Sequence, residues 1–490
     1  MMLKKSPPDA RDETAPDGEY LKPAFCVLGA GPAGLAFAIA AASCGEQVVL
    51  IEKHKPGGTS LSYGTVPAAA LAAAAEAAAG FRSAAGFGIA AFEPVVDWPK
   101  VAARTRETIA ALAPNASAER LSGLGVRVIA AAGRFIDHKT LAAGEHRIEA
   151  RRFVIATGTS PAMPEIKGLR ELPVFTTETI FDNREPIDHL VVIGGGPAGC
   201  QLAQAHRRLG ARVTVIEQGR ILARFDPELT EVVRNGLTTD GIKIHENARV
   251  EAVAGAPRRI EVQGLIDGKP ARIECSHVLI ACGRKPVIAD IGLDLGKVAV
   301  TSDGVKVDRR LRTSNRRIYA IGDVTGHPHS NQRAEYHARQ LATALALGRT
   351  APVDSRTIPV AIYTDPELAQ VGLTEAEARK LYGRIEVHRF PLRENVRAVA
   401  SRRTDGHIKV TADRSGRILG VGIACRSAAE LIDVWSLAIS KRMTLADMAG
   451  WLAPHPTLGE VNRKAATHRP TTISRYSASR AWGKLLARLG

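Results

Sequence analysis

The sequence predicts an α/β fold made of two copies of a strand–turn–helix–strand unit, followed by a C-terminal α+β unit with a different pattern. Three observations predict it. FCVLGAGPAGLAFAIAAASCGEQVVLIEK from Phe25 and LVVIGGGPAGCQLAQAHRRLGARVTVIEQ from Leu190 repeat one another, each a β-branched apolar run, a GxGxxG turn, a helix and a second apolar run ending in an acid. From about Pro352 the pattern changes to strands near Ile385–Phe390, Ile408–Ala412 and Ile418–Ile423 and helices from Ala428 to Met448, with no glycine turn of that kind. The 490 residues are too many for one core and suggest roughly three domains of about 150 residues.

The elements of the repeat follow from backbone chemistry. The first glycine (Gly29, Gly194) makes the tight turn, the second (Gly31, Gly196) lets the backbone approach a pyrophosphate, and the third (Gly34, Gly199) lets helix pack on strand. The acids Glu52 and Glu217 close each unit, where a carboxylate accepts ribose hydroxyls. One such turn is weak evidence, but two complete units identify Rossmann-like dinucleotide binding twice over. FVIATG (Phe153 to Gly158) and VLIACG (Val278 to Gly283) lead to Pro161 and Pro286 and read as places where the chain passes between the two nucleotide units. RIYAIGDVTG then reads as a buried strand delivering Asp323, just after Gly322, to a turn with a ligand role. APHPTLGEV places His455 and Glu460 around a proline turn near the end.

Composition narrows the class. Hydrophobic residues make up 45% and charged residues 24%. No apolar run reads as long enough for the ~18 residues of a membrane span. Val66 to Ala79 reads as a buried helix, and residues 1–20 as a disordered tail without the apolar core of a signal peptide. Six cysteines lack CxxC or CxxxxC spacing, which argues against a metal site and for reduced packing residues in a cytoplasm. The net charge of +16 comes without any nucleic-acid signature and with only 4% aromatics, so no nucleic-acid partner is expected. Arg469, Arg475, Arg480, Lys484 and Arg488 surround Trp482, Leu485, Leu486 and Leu489, a tail (469–490) compatible with peripheral contact to an anionic membrane or with a solvated basic end.

GAGPAG, GGT...GTVP, IATG, GGGPAG, ACGRKP, YAIGD, YTDPELAQVG and HPTLGE, in that order from Phe25 to Ala466, make the chain resemble the flavin-dependent pyridine nucleotide-disulfide oxidoreductases, the group of dihydrolipoamide dehydrogenase, glutathione reductase, mercuric reductase and soluble transhydrogenase. The resemblance implies FAD on the first fingerprint, from Gly29 through Pro32 and Ala33 to Gly34, with Glu52, and on Asp323, which would hold the ribityl chain. It implies NAD, with NADP admitted, on Gly194, Gly196, Gly199 and Glu217. Gly58, Thr59, Thr157, Gly158, Gln201, Gly283, Arg284 and Gly322 are the further cofactor-binding positions it implies. The implied domains are an FAD-binding domain (21–165 and 285–350), an NAD-binding domain (166–284) and a dimerisation domain (351–468) that carries His455, oriented by Glu460, to the partner subunit's flavin in a homodimer.

Four positions depart from that pattern. The family loop GGTCxxxGCxP has two thiols where this chain has Ser60 and Thr65; its lysine after the proline is absent, Ala68 and Ala69 following Pro67; and the glutamate that pairs with it is Gln201. Removing one member of a buried ion pair costs about 3–5 kcal/mol, whereas neutralising both can be nearly free, so the joint loss points to a refitted site. Ser60 and Thr65, retained in the catalytic set with His455 and Glu460, cannot serve as thiolates toward lipoamide, glutathione or mercuric ion. Soluble transhydrogenase shares a threonine at the second position but keeps the first cysteine. The expectation is an FAD-dependent NAD(P)H oxidoreductase that passes electrons from NADH through flavin to a small-molecule acceptor, a quinone being favoured. The alternatives are a transhydrogenase-like enzyme and a non-catalytic flavoprotein scaffold or sensor.

Overall fold

The computed structural model describes residues 19–348 and 352–467. The basic 469–490 tail and residues 1–18 lie outside the described residues. Tyr20, read as part of a tail, instead opens the strand Tyr20–Leu21, which pairs in parallel with His146–Ile148. The chain forms two compact units, Met1–Pro67 with Glu107–Ser160 and Arg284–Val353, and Ala68–Arg106 with Pro161–Gly283 and Asp354–Gly490.

In the first unit a five-stranded parallel sheet runs in the order Ile318–Ala320, Arg152–Ile155, Phe25–Leu28, Val48–Glu52, Val126–Ala130. Its strands are near-continuous apolar runs because both faces are covered. Phe25, Val27, Leu50 and Val154 pack on one face with Phe37, Ala38 and Leu341 from the helices Pro32–Ser43 and Asn331–Leu347. Cys26, Leu28, Val49, Ile51, Phe153 and Ile155 pack on the other with Phe135 and Leu141. The chain leaves Phe25–Leu28 toward Val48–Glu52 and later returns on its opposite side with Arg152–Ile155. The GAGPAG turn therefore sits at the carboxyl end of the strand where the order reverses, the place where open α/β sheets take ligands.

The second unit repeats this plan. Phe175–Thr176, His277–Ile280, His189–Ile193, Arg212–Ile216 and Lys243–His245 form a second parallel sheet, again with the glycine turn at the reversal. A three-stranded antiparallel meander, Arg249–Ala256, Arg259–Ile266 and Lys269–Cys275, was not read from the sequence. The C-terminal portion is an antiparallel sheet ordered Val360–Ile362, Glu367–Gly372, Ile418–Cys425, His407–Ala412, Glu386–Pro391. It shares a core with the nucleotide-binding part, since Ile362, Leu368 and Ala424 cluster with Leu229, Val233 and Leu237 of the helix Pro227–Thr239.

Two expectations about the alanine-rich helix change. It spans Thr65–Ser83, and only one face is buried, with Leu71, Ala75 and Ala78 packed alongside Trp98 and Leu190 while Ala69, Ala73, Glu76 and Ala77 are exposed. Alanine on both faces hides this amphipathicity from sequence. The same packing groups Ala68–Arg106 with the second unit. The helical stretch Gly58–Phe87 is also long and apolar enough, by length and composition alone, to cross a membrane, contrary to the sequence reading. Core helices meet that test too, and the buried stripe of this one faces protein.

Candidate functional site

The two glycine turns share one geometry. Gly29 and Gly194 take φ of 101° and 113°, and a Cβ there would lie 2.6 Å from the Ala156 carbonyl oxygen and 2.4 Å from that of Ala281. At Gly34 and Gly199 a Cβ would meet the carbonyl oxygens of Gly29 and Gly194 at 1.8 and 2.0 Å. Gly31 and Gly196 differ, because a Cβ at either meets nothing within 4 Å. These two are the N-caps of the helices Pro32–Ser43 and Pro197–Arg208, both opening on proline and neither with a side-chain cap. A helix start with uncapped amides, a dipole favouring negative charge and free space at the cap fits a pyrophosphate.

The closing acids are placed alike. Glu52 Oε2 accepts from the Ala30 N–H at 2.8 Å and Oε1 from that of His54 at 2.9 Å. Glu217 accepts from the Gly195 and Gly219 N–H groups at 2.6 and 2.8 Å. Each carboxylate is thereby fixed beside its glycine turn, where a dinucleotide ribose would lie.

Asp323 follows the buried strand Ile318–Ala320 in a 3₁₀ turn, Gly322–Thr325. Its Oδ1 accepts from the Ser330 N–H at 3.1 Å; burial pushes its carboxyl above the usual range, opposed by that bond and by Arg333 and Arg284. Oδ2 has no partner among the described residues, so a cofactor hydroxyl would complete it. Two neighbours escaped the sequence reading. Arg333 is buried, with its guanidinium on the carbonyls of Gly326 and Pro328 and on Thr325 Oγ1. His337 Nδ1 accepts from the Gly322 N–H at 3.3 Å, and burial, with the Arg333 charge, lowers its pKa to about 3.

Thr157 Oγ1 donates to the Val287 carbonyl at 2.7 Å, and Arg284 donates to Thr159 Oγ1 and the Thr159 carbonyl at 2.8 and 2.7 Å. These bonds tie together the two points where the chain leaves and re-enters the first unit. Gly158 and Gly283 both have positive φ and open space at Cβ. Gly58 takes φ of 61°, and a Cβ there would lie 2.7 Å from Gly31 Cα, so the loop before Ser60 runs directly over the first fingerprint. Thr59 is exposed beside it. Gln201 lies in the first turn after the second fingerprint, in the second unit.

Ser60 and Thr65 are brought together by a residue that the sequence reading missed. Asn331 Nδ2 donates to Ser60 Oγ at 2.6 Å and to Thr65 Oγ1 at 3.1 Å. Ser330 caps the Asn331–Leu347 helix by accepting from the Arg333 N–H at 3.2 Å, which leaves the neighbouring amide free to reach the loop. None of the thiols whose pKa is perturbed is pushed toward the thiolate. Cys26, Cys200 and Cys425 are buried in cores, burial raising all three thiols and bringing Cys200 to about 12; it also brings Cys275 to about 12 and Cys282 to about 11. Cys44 is exposed. No cluster of metal-ligating side chains occurs among the described residues.

His455 and Glu460 do meet. His455 Nδ1 lies 3.0 and 3.1 Å from the two Glu460 oxygens, with the imidazole 64% exposed and the carboxylate 11%. The His455 hydrogen bond holds the Glu460 carboxyl below its ordinary value. The pairing engages Nδ1 and leaves most of the ring exposed.

A family model described as pyridine nucleotide-disulphide oxidoreductase matches residues 23–338, and its dimerisation domain matches residues 358–466. Dihydrolipoyl dehydrogenase of Bacillus subtilis (strain 168) is 34% identical over 455 residues, covering 90% of this chain and 95% of that one. Mercuric reductase of Streptomyces lividans is 32% identical over 467 residues, 92% and 97% of the two chains. The crystal structure of LpdA from Mycobacterium tuberculosis superposes with a TM-score of 0.83 at 28% identity, over 91% of this chain and 99% of that one. The chain therefore belongs to the pyridine nucleotide-disulphide oxidoreductases, flavoproteins that bind FAD and NAD(P)H, and it carries their dimerisation domain.

Proposed function

We propose that this chain is an FAD-dependent NAD(P)H oxidoreductase that passes electrons directly to an acceptor, a quinone above others, without a dithiol relay. The observation that carries this reading is the Ser60–Asn331–Thr65 arrangement, in which two hydroxyls joined by an amide stand where the family has its two thiols. A hydroxyl can hydrogen-bond an acceptor but cannot exchange with a disulfide. FAD, when bound, supplies the two-electron store between nicotinamide nucleotide and acceptor. The first unit would hold it through Gly29, Gly31, Gly34, Glu52, Gly58 and Asp323. The second would hold the nicotinamide nucleotide through Gly194, Gly196, Gly199 and Glu217.

Glu217 favours NADH, since a carboxylate fixed beside the turn accepts ribose hydroxyls and repels a 2′-phosphate, with Arg220 and Arg224 opposing it. His455 would deliver a proton to the reduced acceptor in a homodimer, its ring held by Glu460.

Anaerobic titration of holoprotein with dithionite tests the missing relay. The flavin should bleach with two electrons per FAD and show no long-wavelength absorbance at the two-electron point, since no thiolate is present to donate into the ring. An endpoint of four electrons would mean that another cysteine pair takes part, and the reading would fail.

A further inference from the structure

Asn331 does more than hold two hydroxyls together, because the direction of its hydrogen bonds fixes where their protons go. Its amide has two N–H groups, and Nδ2 gives one to Ser60 Oγ and one to Thr65 Oγ1. Each hydroxyl is thus an acceptor toward Asn331, and its own proton must point elsewhere. Among the described residues no acceptor takes either proton: the only hydrogen bonds of Ser60 and Thr65 side chains are those to Asn331. Two O–H donors, held together by one amide and lacking protein partners, are therefore offered by the loop. Loop and amide come from elements far apart in sequence but within one unit, Ser60 from the helix Gly58–Ser62, Thr65 from the start of Thr65–Ser83, and Asn331 from the start of Asn331–Leu347.

We propose that Asn331 is a positioning residue that turns the Ser60–Thr65 pair into a double hydrogen-bond donor for the carbonyl oxygen of a neutral, quinone-type acceptor. A carbonyl oxygen has two lone pairs and accepts strongly, whereas a disulfide sulfur accepts weakly. The same arrangement would therefore select against the substrates that a dithiol serves. This inference rests on the direct-acceptor reading and deepens it by naming the chemistry that the hydroxyls recognise.

The test is binding of menadione to oxidised holoprotein in the absence of NADH, followed by the change in flavin absorbance, with FAD content measured for each variant. Asn331→Asp keeps the shape but replaces the donor with a carboxylate, which accepts from both hydroxyls and draws their protons inward. It should weaken menadione binding by about tenfold or more, the loss of one to two good hydrogen bonds. Ser60→Ala with Thr65→Ala should weaken it similarly. Asn331→Ala, which frees the hydroxyls to rotate, should cost less than Asn331→Asp. 2-Methylnaphthalene, the same ring without carbonyls, should bind wild type and Asn331→Asp equally.

A merely structural asparagine gives the reverse order, with the isosteric Asp variant close to wild type and Ala the worst; that result overturns the proposal. Equal loss of menadione and 2-methylnaphthalene in the Asp variant overturns it too, as does failure of wild type to bind menadione. If wild type binds and discriminates as described but NADH-reduced enzyme does not turn menadione over, the positioning role stands and the direct-acceptor reading fails.

Discussion

Gly31 and Gly34 sit three residues apart on the first glycine turn, yet a side chain would do different harm at each. At Gly31 a Cβ meets nothing within 4 Å of the protein, while at Gly34 it would sit 1.8 Å from the Gly29 carbonyl oxygen. Gly31→Val should therefore fold with native secondary structure and denaturation midpoint but purify mostly without FAD, whereas Gly34→Val should fail to accumulate as folded protein. Circular dichroism together with the absorbance ratio of flavin to protein separates the two; a yellow Gly31→Val protein would remove this turn from the FAD site. The glycines, the acids Glu52 and Glu217, and the His455–Glu460 pair were legible because each is a local pattern with one physical use. Asn331 was not, since a polar residue beside a helix start reads as a cap, and its partner Ser60 is 271 residues away. Arg333 and His337 escaped for a similar reason, as nothing local marks a polar side chain on a helix as buried.

Strands of alternating or continuous apolar residues announced themselves, so the central strands of both parallel sheets and three of the five C-terminal strands could be read from the chain, whereas the strands Val126–Ala130, Phe175–Thr176 and Lys243–His245 could not. The meander from Arg249 to Cys275 could not, because its outer positions carry Arg, Glu and Lys at a density that resembles loop. Within the strand His407–Ala412, Lys409 is the misfit that marks an interaction between elements. Its ammonium is 7% exposed and lies 2.8, 2.9 and 2.8 Å from Asp226, Glu228 and Glu375, which belong to the cap and first turn of the helix Pro227–Thr239 and to the helix Glu375–Tyr382. Arg389 adds a second cation on Glu228 and Glu375. Together with Lys409 it lowers the Glu228 pKa to about 2. Lys409→Met should lose about 3–5 kcal/mol of stability in chemical denaturation, because three carboxylates are left facing one another with one cation fewer. A loss below about 1 kcal/mol would show that the remaining cations, Arg389 on Glu228 and Glu375 and Arg379 on Glu375, neutralise the cluster.

Across the whole molecule, buried histidines and one paired carboxylate set the response to acid. Burial lowers His337 to about 3 in the first unit and His206 to about 4 in the second, from 6.5. Between those values and 6.5 the unfolded chain binds protons that the folded chain refuses, so stability falls as pH drops below about 6.5, by up to about 1.4 kcal/mol per pH unit for each such group. Glu228 acts in the same direction over a lower range: its folded pKa of about 2 lies under the ordinary 4.5, so its contribution is complete above 4.5 and is lost as pH falls toward 2. Denaturation midpoints measured from about pH 7 to about pH 4 should decline steadily, and His337→Asn, which keeps an acceptor for the Gly322 N–H, should flatten the decline. An unchanged slope would mean that His337 is protonated in the folded protein.

The buried thiols bear on how this flavoprotein fares in an oxidising medium. Peroxides and hypohalous acids oxidise thiolates from sulfenic through sulfinic to irreversible sulfonic acids. Where Ser60 and Thr65 stand there is nothing on that ladder, and Cys26, Cys200, Cys275 and Cys425 are buried, with their thiols raised by that burial. An oxidant that acts on thiols would find at Ser60, Thr65 and Asn331 only two hydroxyls and an amide.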